Sequence, residues 1–268
     1  MIEFFDEIKI DPEKRARIHA LPEAEKTIVI FFTPRSGSSW LTDILSQTQC
    51  LGRANELFNP NFLPRTAVAL QAGNLDDYVH AARRRLNVGG TLSFEITMHQ
   101  LQAVFKSEED FHRHFGNGRF VWLTRHDIVA QAVSLAKMVR AKIAHSPHVT
   151  EADIKAADNS FTYSGSEIRK WIGHIRRAEE QTDAFMSRHG LRPLRLVYES
   201  MMEEGTTDTI HRIASHADVA LPPDLSITET HRKLGTATNE EFADRFKRRH
   251  RLLMLRLAWQ RRDMFPDR

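Results

Sequence analysis

The alternation of short apolar runs with helical patterns most constrains the fold of this 268-residue chain. The predicted buried strands, rich in β-branched or aromatic residues, are Thr27–Phe32, Thr91–Ile96, Arg119–Leu123 and Leu194–Tyr198. Helical patterns cover Trp40–Thr48, Ile128–Ile143, Ser164–Arg188 and Thr207–Val219, whereas 145–163 and 220–241 lack periodicity and are predicted as long loops. Strands that alternate with helices predict an α/β fold in three layers, with a central, mostly parallel sheet flanked by helices.

Composition limits the class of protein and its surroundings. Hydrophobic residues make up 41% and charged residues 27% of the chain, which excludes disordered and fibrous classes. A lone cysteine, Cys50, excludes a disulfide framework and a cysteine-rich zinc site, and it fits a reducing compartment. The first residues lack the order of a secretory signal, and no apolar run approaches the roughly 20 residues of a membrane span. We therefore expect a single cytoplasmic domain over residues 1–268.

The charge is unevenly distributed along the chain. Residues 245–268 hold nine Lys or Arg and two Asp, a net +7 against +3 for the whole chain, which leaves −4 for residues 1–244. This argues against a molecule-wide surface for nucleic acid. The basic segment 245–262 is predicted to be helical, with leucines and Trp259 among its arginines. It either packs its leucines on the core or contacts an anionic membrane surface or a lipid-linked acceptor.

The segment Thr33–Trp40, between the first strand and its helix, predicts an anion-binding loop. Backbone amides at such a turn and the helix amino terminus attract anions, Gly37 permits close approach, and Arg35 adds a fixed charge. In a nucleotide P-loop a lysine would stand at Ser38, and we find no acidic residue at a strand end to hold magnesium. These differences disfavour an ATP or GTP hydrolase. The alternative is a serine-rich turn that only caps its helix.

A second polar block follows the third strand as Thr124-Arg125-His126-Asp127. Arg125 is expected at the carboxyl end of that strand, on the same sheet edge as the anion loop, and Ser134 lies two turns into the next helix. A guanidinium with a nearby hydroxyl is a good phosphate site, so the two blocks together predict a ligand with separated anionic groups. Taken alone, Arg125 could equally be a structural ion-pair partner.

These blocks resemble those of sulfotransferases that use 3′-phosphoadenosine 5′-phosphosulfate (PAPS). The similarity is greatest to the bacterial carbohydrate sulfotransferases of the trehalose 2-sulfotransferase type, in which the loop reads R-S-G-S-T and a Glu–aromatic pair follows the first helix. Here the loop reads P-R-S-G-S-S-W, and Glu56-Leu57-Phe58 stands in the place of that pair. The resemblance covers about residues 27–246. It implies a P-loop-like fold and an enzyme that moves a sulfuryl group from PAPS to a carbohydrate or glycolipid hydroxyl by in-line displacement, without a metal, and releases 3′-phosphoadenosine 5′-phosphate (PAP).

The resemblance also implies the roles of individual residues. The 5′-phosphosulfate is assigned to the anion loop, namely Arg35, Ser36, Gly37, Ser38, Ser39 and Trp40. The 3′-phosphate is assigned to Arg125 and Ser134. A degenerate form of a later phosphate-covering loop supplies Arg232, Lys233 and Gly235, unless this segment is only a basic turn. Tyr198 stands where the family has a tyrosine near the adenine, although it could also be a core residue.

Glu56 matches the catalytic base of the trehalose-type enzymes, while Arg35 would stabilise charge on the transferring group. His99, just beyond the second strand, is the second candidate for the base, because many sulfotransferases use histidine. Thr97 replaces a residue that is often basic in relatives, which affects the acceptor pocket. For Glu56 the alternative is a surface or capping glutamate.

Two other classes of function remain open from the sequence. One is a small-molecule kinase with a phosphate loop, which needs a magnesium ligand and a lysine that we do not find. The other is a nucleotide- or polyanion-binding module that keeps the fold without turnover. The expected partner is a sugar or a lipid-linked carbohydrate, with a homo-oligomer and peripheral membrane contact left open and no nucleic acid expected.

Overall fold

The central sheet has the predicted parallel arrangement. The computed structural model describes residues 4–6, 8–141, 150–228 and 236–265. Within these residues the strands are β1 Lys26–Phe32, β2 Thr91–Ile96, β3 Arg119–Thr124 and β4 Leu194–Val197. They form a sheet in the order β2-β1-β3-β4, and every neighbouring pair is parallel. Because the strands are parallel, their carboxyl ends meet at the same edge of the sheet, where the anion loop and Arg125 lie.

Helices follow or connect the strands along the whole described chain. They are α1 Pro12–His19, α2 Ser38–Gln47, α3 Leu63–Leu70, α4 Leu75–Arg85, α5 Met98–Val104, α6 Glu108–Phe115, α7 Ile128–Ala141, α8 Glu151–Ser160, α9 Gly165–Arg188, α10 Tyr198–Glu204, α11 Thr206–Ala217, α12 Ala237–Arg249 and α13 Arg251–Arg261. The predicted α/β fold, with a parallel sheet flanked by helices, is confirmed.

The two faces of the sheet bury different sets of helices because alternate residues of a strand point to opposite sides. Ile28 and Ile30 of β1 belong to an apolar cluster with α2 and α11. Val29 and Phe31 belong to the cluster on the other face, with α4, α5, α6 and the end of α9. The rings of Phe31 and Phe185 of α9 pack there at an angle of 31°, with their centroids 5.3 Å apart. The sheet is thus the middle of three layers.

A third apolar cluster joins helices beyond the sheet, mainly α7, α9, α12 and α13. Its buried members include Ile172, Phe246 and Leu257. On α13 the inward residues are Leu257 and Arg261, while Leu252, Leu255 and Trp259 are exposed. The basic terminal segment therefore packs one side on the protein, as one of the two sequence interpretations required. Among the described residues, no helix is long and apolar enough to cross a membrane.

The prediction of long loops over 145–163 and 220–241 is wrong in part. Helix α8 occupies Glu151–Ser160, and α12 begins at Ala237. The sequence of α8, EADIKAADNS, has good helix formers but little apolar periodicity. One of its contacts with α7 is polar. The Lys137 Nζ of α7 lies 2.5 Å from the Asp158 Oδ1 of α8. A pattern search based on apolar spacing misses a helix held in this way.

The boundaries of two other elements differ slightly from the predicted ones. β4 ends at Val197, so that Tyr198 opens α10 rather than closing the strand. Helix α2 begins at Ser38, two residues before the apolar periodicity starts at Trp40. The predicted extension of α7 to Ile143 lies outside the described residues, which stop at 141 in this segment.

Candidate anion and transfer site

The anion loop depends on two residues with left-handed backbone conformation. Arg35 has φ +68° and Gly37 has φ +94°, which turns the chain sharply between β1 and α2. A Cβ on Gly37 would lie 2.4 Å from Cδ2 of Tyr198, so a side chain at this position is excluded by space as well as by φ. Tyr198, which directly follows β4, therefore lies against the loop.

The first turn of α2 leaves its backbone amides available to a ligand. Gly37 is the N-cap, it offers no side-chain hydrogen bond, and the first turn contains no acidic residue. Ser38 and Ser39 are half-buried at this end, where the helix dipole is positive. The Ser36 hydroxyl is buried and has no hydrogen-bond partner among the described residues. The Trp40 side chain packs in the apolar cluster under α2.

Helix α7 holds the loop in place through two polar side chains. The Arg35 Nε donates to the Ser134 Oγ at 2.8 Å. The Gln131 Nε2 donates to the Thr33 Oγ1 and to the Pro34 carbonyl, both at 2.9 Å. Gln131 is fully buried, which makes these bonds costly to break. Ser134 thus contacts the first arginine of the site rather than Arg125, with which the sequence analysis had grouped it.

Arg125 lies beside Arg35 at the edge of the sheet. Its Nη1 donates to the Arg35 carbonyl at 3.3 Å, and its guanidinium lies 4.9 Å from the centre of the Tyr198 ring. Burial and the nearby Arg125 charge lower the pKa of Arg35 to about 10. This edge therefore gathers two guanidinium groups, the partly positive end of α2 and an unpaired hydroxyl group. The arrangement suits an anionic ligand.

Glu56 lies in a segment that pairs with β2 through the Asn55–Phe94 bridge and contacts α2 through the Thr42 hydroxyl and the Ala54 carbonyl. Its Oε2 accepts from the Gln100 Nε2 at 2.5 Å and from the Asn59 Nδ2 at 2.7 Å. Both contacts fix a half-buried carboxyl group near the start of α2. His99 is exposed at the beginning of α5. The structure thus gives Glu56 fixed polar contacts that we do not find for His99 among the described residues.

Comparison with known proteins connects this geometry to a family. A family model described as Stf0 sulphotransferase matches residues 27–249. The chain belongs to the Stf0 sulphotransferase family. It is a transferase of the sulfotransferase type, as the sequence blocks indicated. A comparison with curated proteins found no match for the chain.

In this sulphotransferase, Arg125 is supported from behind by residues that were not predicted from the sequence. The Glu199 carboxylate accepts from the His126 amide at 2.7 Å and the Asp127 amide at 3.1 Å, and its Oε1 lies 3.6 Å from the Arg125 Nε. The sequence analysis gave a role to Tyr198 but none to Glu199, the residue that follows it. Glu199 fixes the turn that presents Arg125.

The second support comes from α13. The Arg261 guanidinium donates to the Arg125 carbonyl at 2.6 Å and to the His126 carbonyl at 2.7 Å, and it forms a buried ion pair with Glu179. On α12, the Lys247 Nζ lies 2.6 Å from the Asp127 Oδ2. Two of the basic residues of the terminal segment therefore hold the turn at the end of β3. Their charge pattern gave no sign of this role.

The predicted members of the later loop, Arg232, Lys233 and Gly235, lie outside the described residues, and their assignment stays a prediction. The other predicted residues of the anion loop, together with Arg125, Ser134 and Tyr198, are brought to the same edge of the sheet. Among the described residues, no group of three or more His, Cys, Asp or Glu side chains is placed to hold a metal ion.

Proposed function

We propose that this sulphotransferase moves a sulfuryl group from PAPS to a hydroxyl group of a carbohydrate or glycolipid and releases PAP. The observation that carries the proposal is the meeting of Arg35 and Arg125 beside the uncapped amino terminus of α2. Two separate cationic positions suit a donor that has a 5′-phosphosulfate and a 3′-phosphate. The choice of a carbohydrate acceptor follows from the resemblance around Glu56 to the trehalose-type enzymes.

The residues present fit an anionic nucleotide on two observations. The Ser36 Oγ is buried without a hydrogen-bond partner among the described residues, and such a group is costly unless a ligand satisfies it. Burial and the nearby Arg125 charge lower the pKa of Arg35 to about 10. A bound anion would accept from the hydroxyl and offset the repulsion between the two guanidinium groups.

Each residue then has a definite task. PAPS supplies an activated sulfuryl group whose leaving phosphate gains charge during transfer. Arg35 and the α2 amides stabilise that charge from fixed positions, which requires no reorganisation during the reaction. Arg125 binds the 3′-phosphate. The Ser134 Oγ accepts a hydrogen bond from Arg35. The hydroxyl hydrogen of Ser134 is therefore free to donate to the bound nucleotide.

We assign the proton transfer to Glu56. Gln100 and Asn59 both bond the Oε2 atom, so the Oε1 atom can accept the proton of the attacking hydroxyl. Glu56→Gln should bind PAP with unchanged affinity and lose about 10²-fold or more in transfer rate. His99→Gln is the matched variant and should keep its activity. The opposite result would assign the base to His99.

The donor assignment is tested by the shift in melting temperature with PAP, compared with ATP and magnesium. We expect PAP to stabilise the protein more. Arg125→Ala should lose most of that shift, whereas Arg119→Ala, at the exposed beginning of the same strand, should keep it. A larger shift with ATP and magnesium would support a kinase instead.

Transfer of radiolabelled sulfate from PAPS to a panel of sugars and glycolipids then identifies the acceptor. PAP binding without transfer to any acceptor would support a binding module.

A further inference from the structure

Strand β2 has an unusual polar face inside the protein. In the register of the sheet, Ser93 and Glu95 lie beside Ile28 and Ile30 of β1, which belong to the apolar cluster under α2. The Ser93 hydroxyl is satisfied because it donates to the Leu51 carbonyl. Glu95 has no equivalent solution. Its side chain is only 4% exposed, and its Oε1 has no hydrogen-bond partner among the described residues.

Glu95 lies between the anion loop and the proposed base. Its backbone amide donates to the Asn55 carbonyl at 3.0 Å, which places the residue beside the segment that carries Glu56. The hydroxyl groups of Thr42 and Ser38, in the first turns of α2, lie close enough to its carboxyl group to favour the ionised form and so oppose the rise of its pKa. Thr42 itself bonds the carbonyls of Ser38 and Ala54 at 3.0 and 3.1 Å. A single buried carboxyl thus adjoins both halves of the site.

Two effects favour the neutral form of this carboxyl. Burial, together with the nearby negative charge of Glu56, raises the pKa of Glu95 to about 8, and the two hydroxyl groups only partly oppose this. Among the described residues, Glu56 is the ionisable group whose charge changes the pKa of Glu95. An unpaired carboxylate in this position would be costly, so the residue retains its proton at neutral pH.

We propose that Glu95 is a positioning residue of the transfer site, and that its protonated carboxyl group links the start of α2 to the Glu56 segment without adding charge. The inference rests on the proposed function. When Glu95 loses its proton, a negative charge appears behind the helix end that receives the donor, next to the Glu56 carboxylate. Binding of a polyanionic nucleotide then weakens.

The test compares the dissociation constant for PAP between pH 6.5 and pH 9.5 in the wild type and in Glu95→Gln. Glutamine reproduces the shape of the neutral carboxyl but cannot ionise. We expect wild-type affinity to fall roughly tenfold between pH 7 and pH 9.5 relative to the Gln variant, as one added charge at close range requires. Titration of PAP itself is common to both proteins and cancels. Glu109→Gln, which removes an exposed acid on α6, should behave as the wild type. Parallel curves for wild type and Glu95→Gln would overturn the proposal.

A second measurement does not depend on the ligand. Because the pKa of Glu95 is raised in the folded protein, the folded state binds more protons than the unfolded state between about pH 4.5 and pH 8. The free energy of unfolding should therefore fall as pH rises through this range. The Glu95 contribution should be absent in Glu95→Gln and in Glu95→Met, so the fall between pH 6 and pH 9, measured in urea, should be larger in the wild type than in either variant. Loss of PAP binding in every protein at pH 7 would contradict the proposed function alone. Identical stability changes in all three proteins would contradict the role of Glu95.

Discussion

Gly37 answers two demands at once, a backbone φ of +94° and the close approach of the Tyr198 ring. A serine or alanine here would have to move either the ring or the loop. The ring also contacts Arg125, so that a displaced ring would disturb the second cationic position as well. The glycine was predicted from the sequence as a point of close approach to the ligand. The structure adds that the close neighbour within the protein is a tyrosine.

We predict that Gly37→Ala weakens PAP binding by at least tenfold and lowers the free energy of unfolding by about 1–3 kcal/mol. The matched control is Gly190→Ala, whose φ is +62° but whose Cβ would meet nothing within 4 Å. That variant should show only the conformational cost, about 1 kcal/mol, with PAP affinity unchanged. Urea denaturation and calorimetric titration measure both quantities. Equal PAP affinity in the two variants would show that the Tyr198 contact is unimportant.

Helix α13 has one buried and one exposed side. Leu257 is 6% exposed and belongs to the third apolar cluster, whereas Leu255 on the same helix is 69% exposed. Leu257→Ala should lower the free energy of unfolding by about 2–4 kcal/mol, because it leaves a cavity. Leu255→Ala should change it by less than about 0.5 kcal/mol. Chemical denaturation distinguishes the two, and similar losses would mean that the outer side of α13 is also covered.

The same helix supports the site through Arg261. Arg261→Met should lower the free energy of unfolding by up to about 3–5 kcal/mol, because the buried Glu179 carboxylate loses its closer ion-pair partner and keeps only Arg176, at 3.2 Å. It should also weaken PAP binding, because the carbonyls of Arg125 and His126 lose their donor.

The double variant Arg261→Met with Glu179→Leu separates these two effects. It removes the buried charge, so most of the stability should return while PAP affinity stays reduced. Recovery of wild-type affinity in the double variant would show that Arg261 acts only through stability and does not position Arg125.

Over the whole molecule, the charge pattern acquires a different meaning from the one that the sequence indicated. The terminal segment is strongly basic and the rest of the chain is acidic in sum. Two of its cations, Lys247 and Arg261, are engaged with Asp127 and Glu179 inside the protein. The anion site lies in the acidic part of the chain, where local geometry gathers Arg35 and Arg125.

Ligand binding should be visible as a pattern over the whole chain. We predict that PAP slows hydrogen exchange in the segments 33–45 and 122–135, which form the carboxyl edge of β1 and β3. Segment 63–85, with α3 and α4 on the opposite face, should change little. Mass spectrometry of peptic peptides measures this. Uniform protection of all three segments would indicate general stabilisation rather than binding at this edge.

The strands, their parallel arrangement and the edge at which the anion loop and Arg125 meet were predictable from the amino-acid sequence. These features follow from local periodicity, turn residues and the rule that parallel strands end on one side of the sheet. The contacts between individual side chains were not predictable in this way. Ser134 bonds Arg35 across 99 residues, Arg261 reaches the Arg125 carbonyl across 136, and Glu95 faces the α2 hydroxyls from another strand. Such partners depend on how helices pack against the sheet, and no local pattern in the chain records that packing.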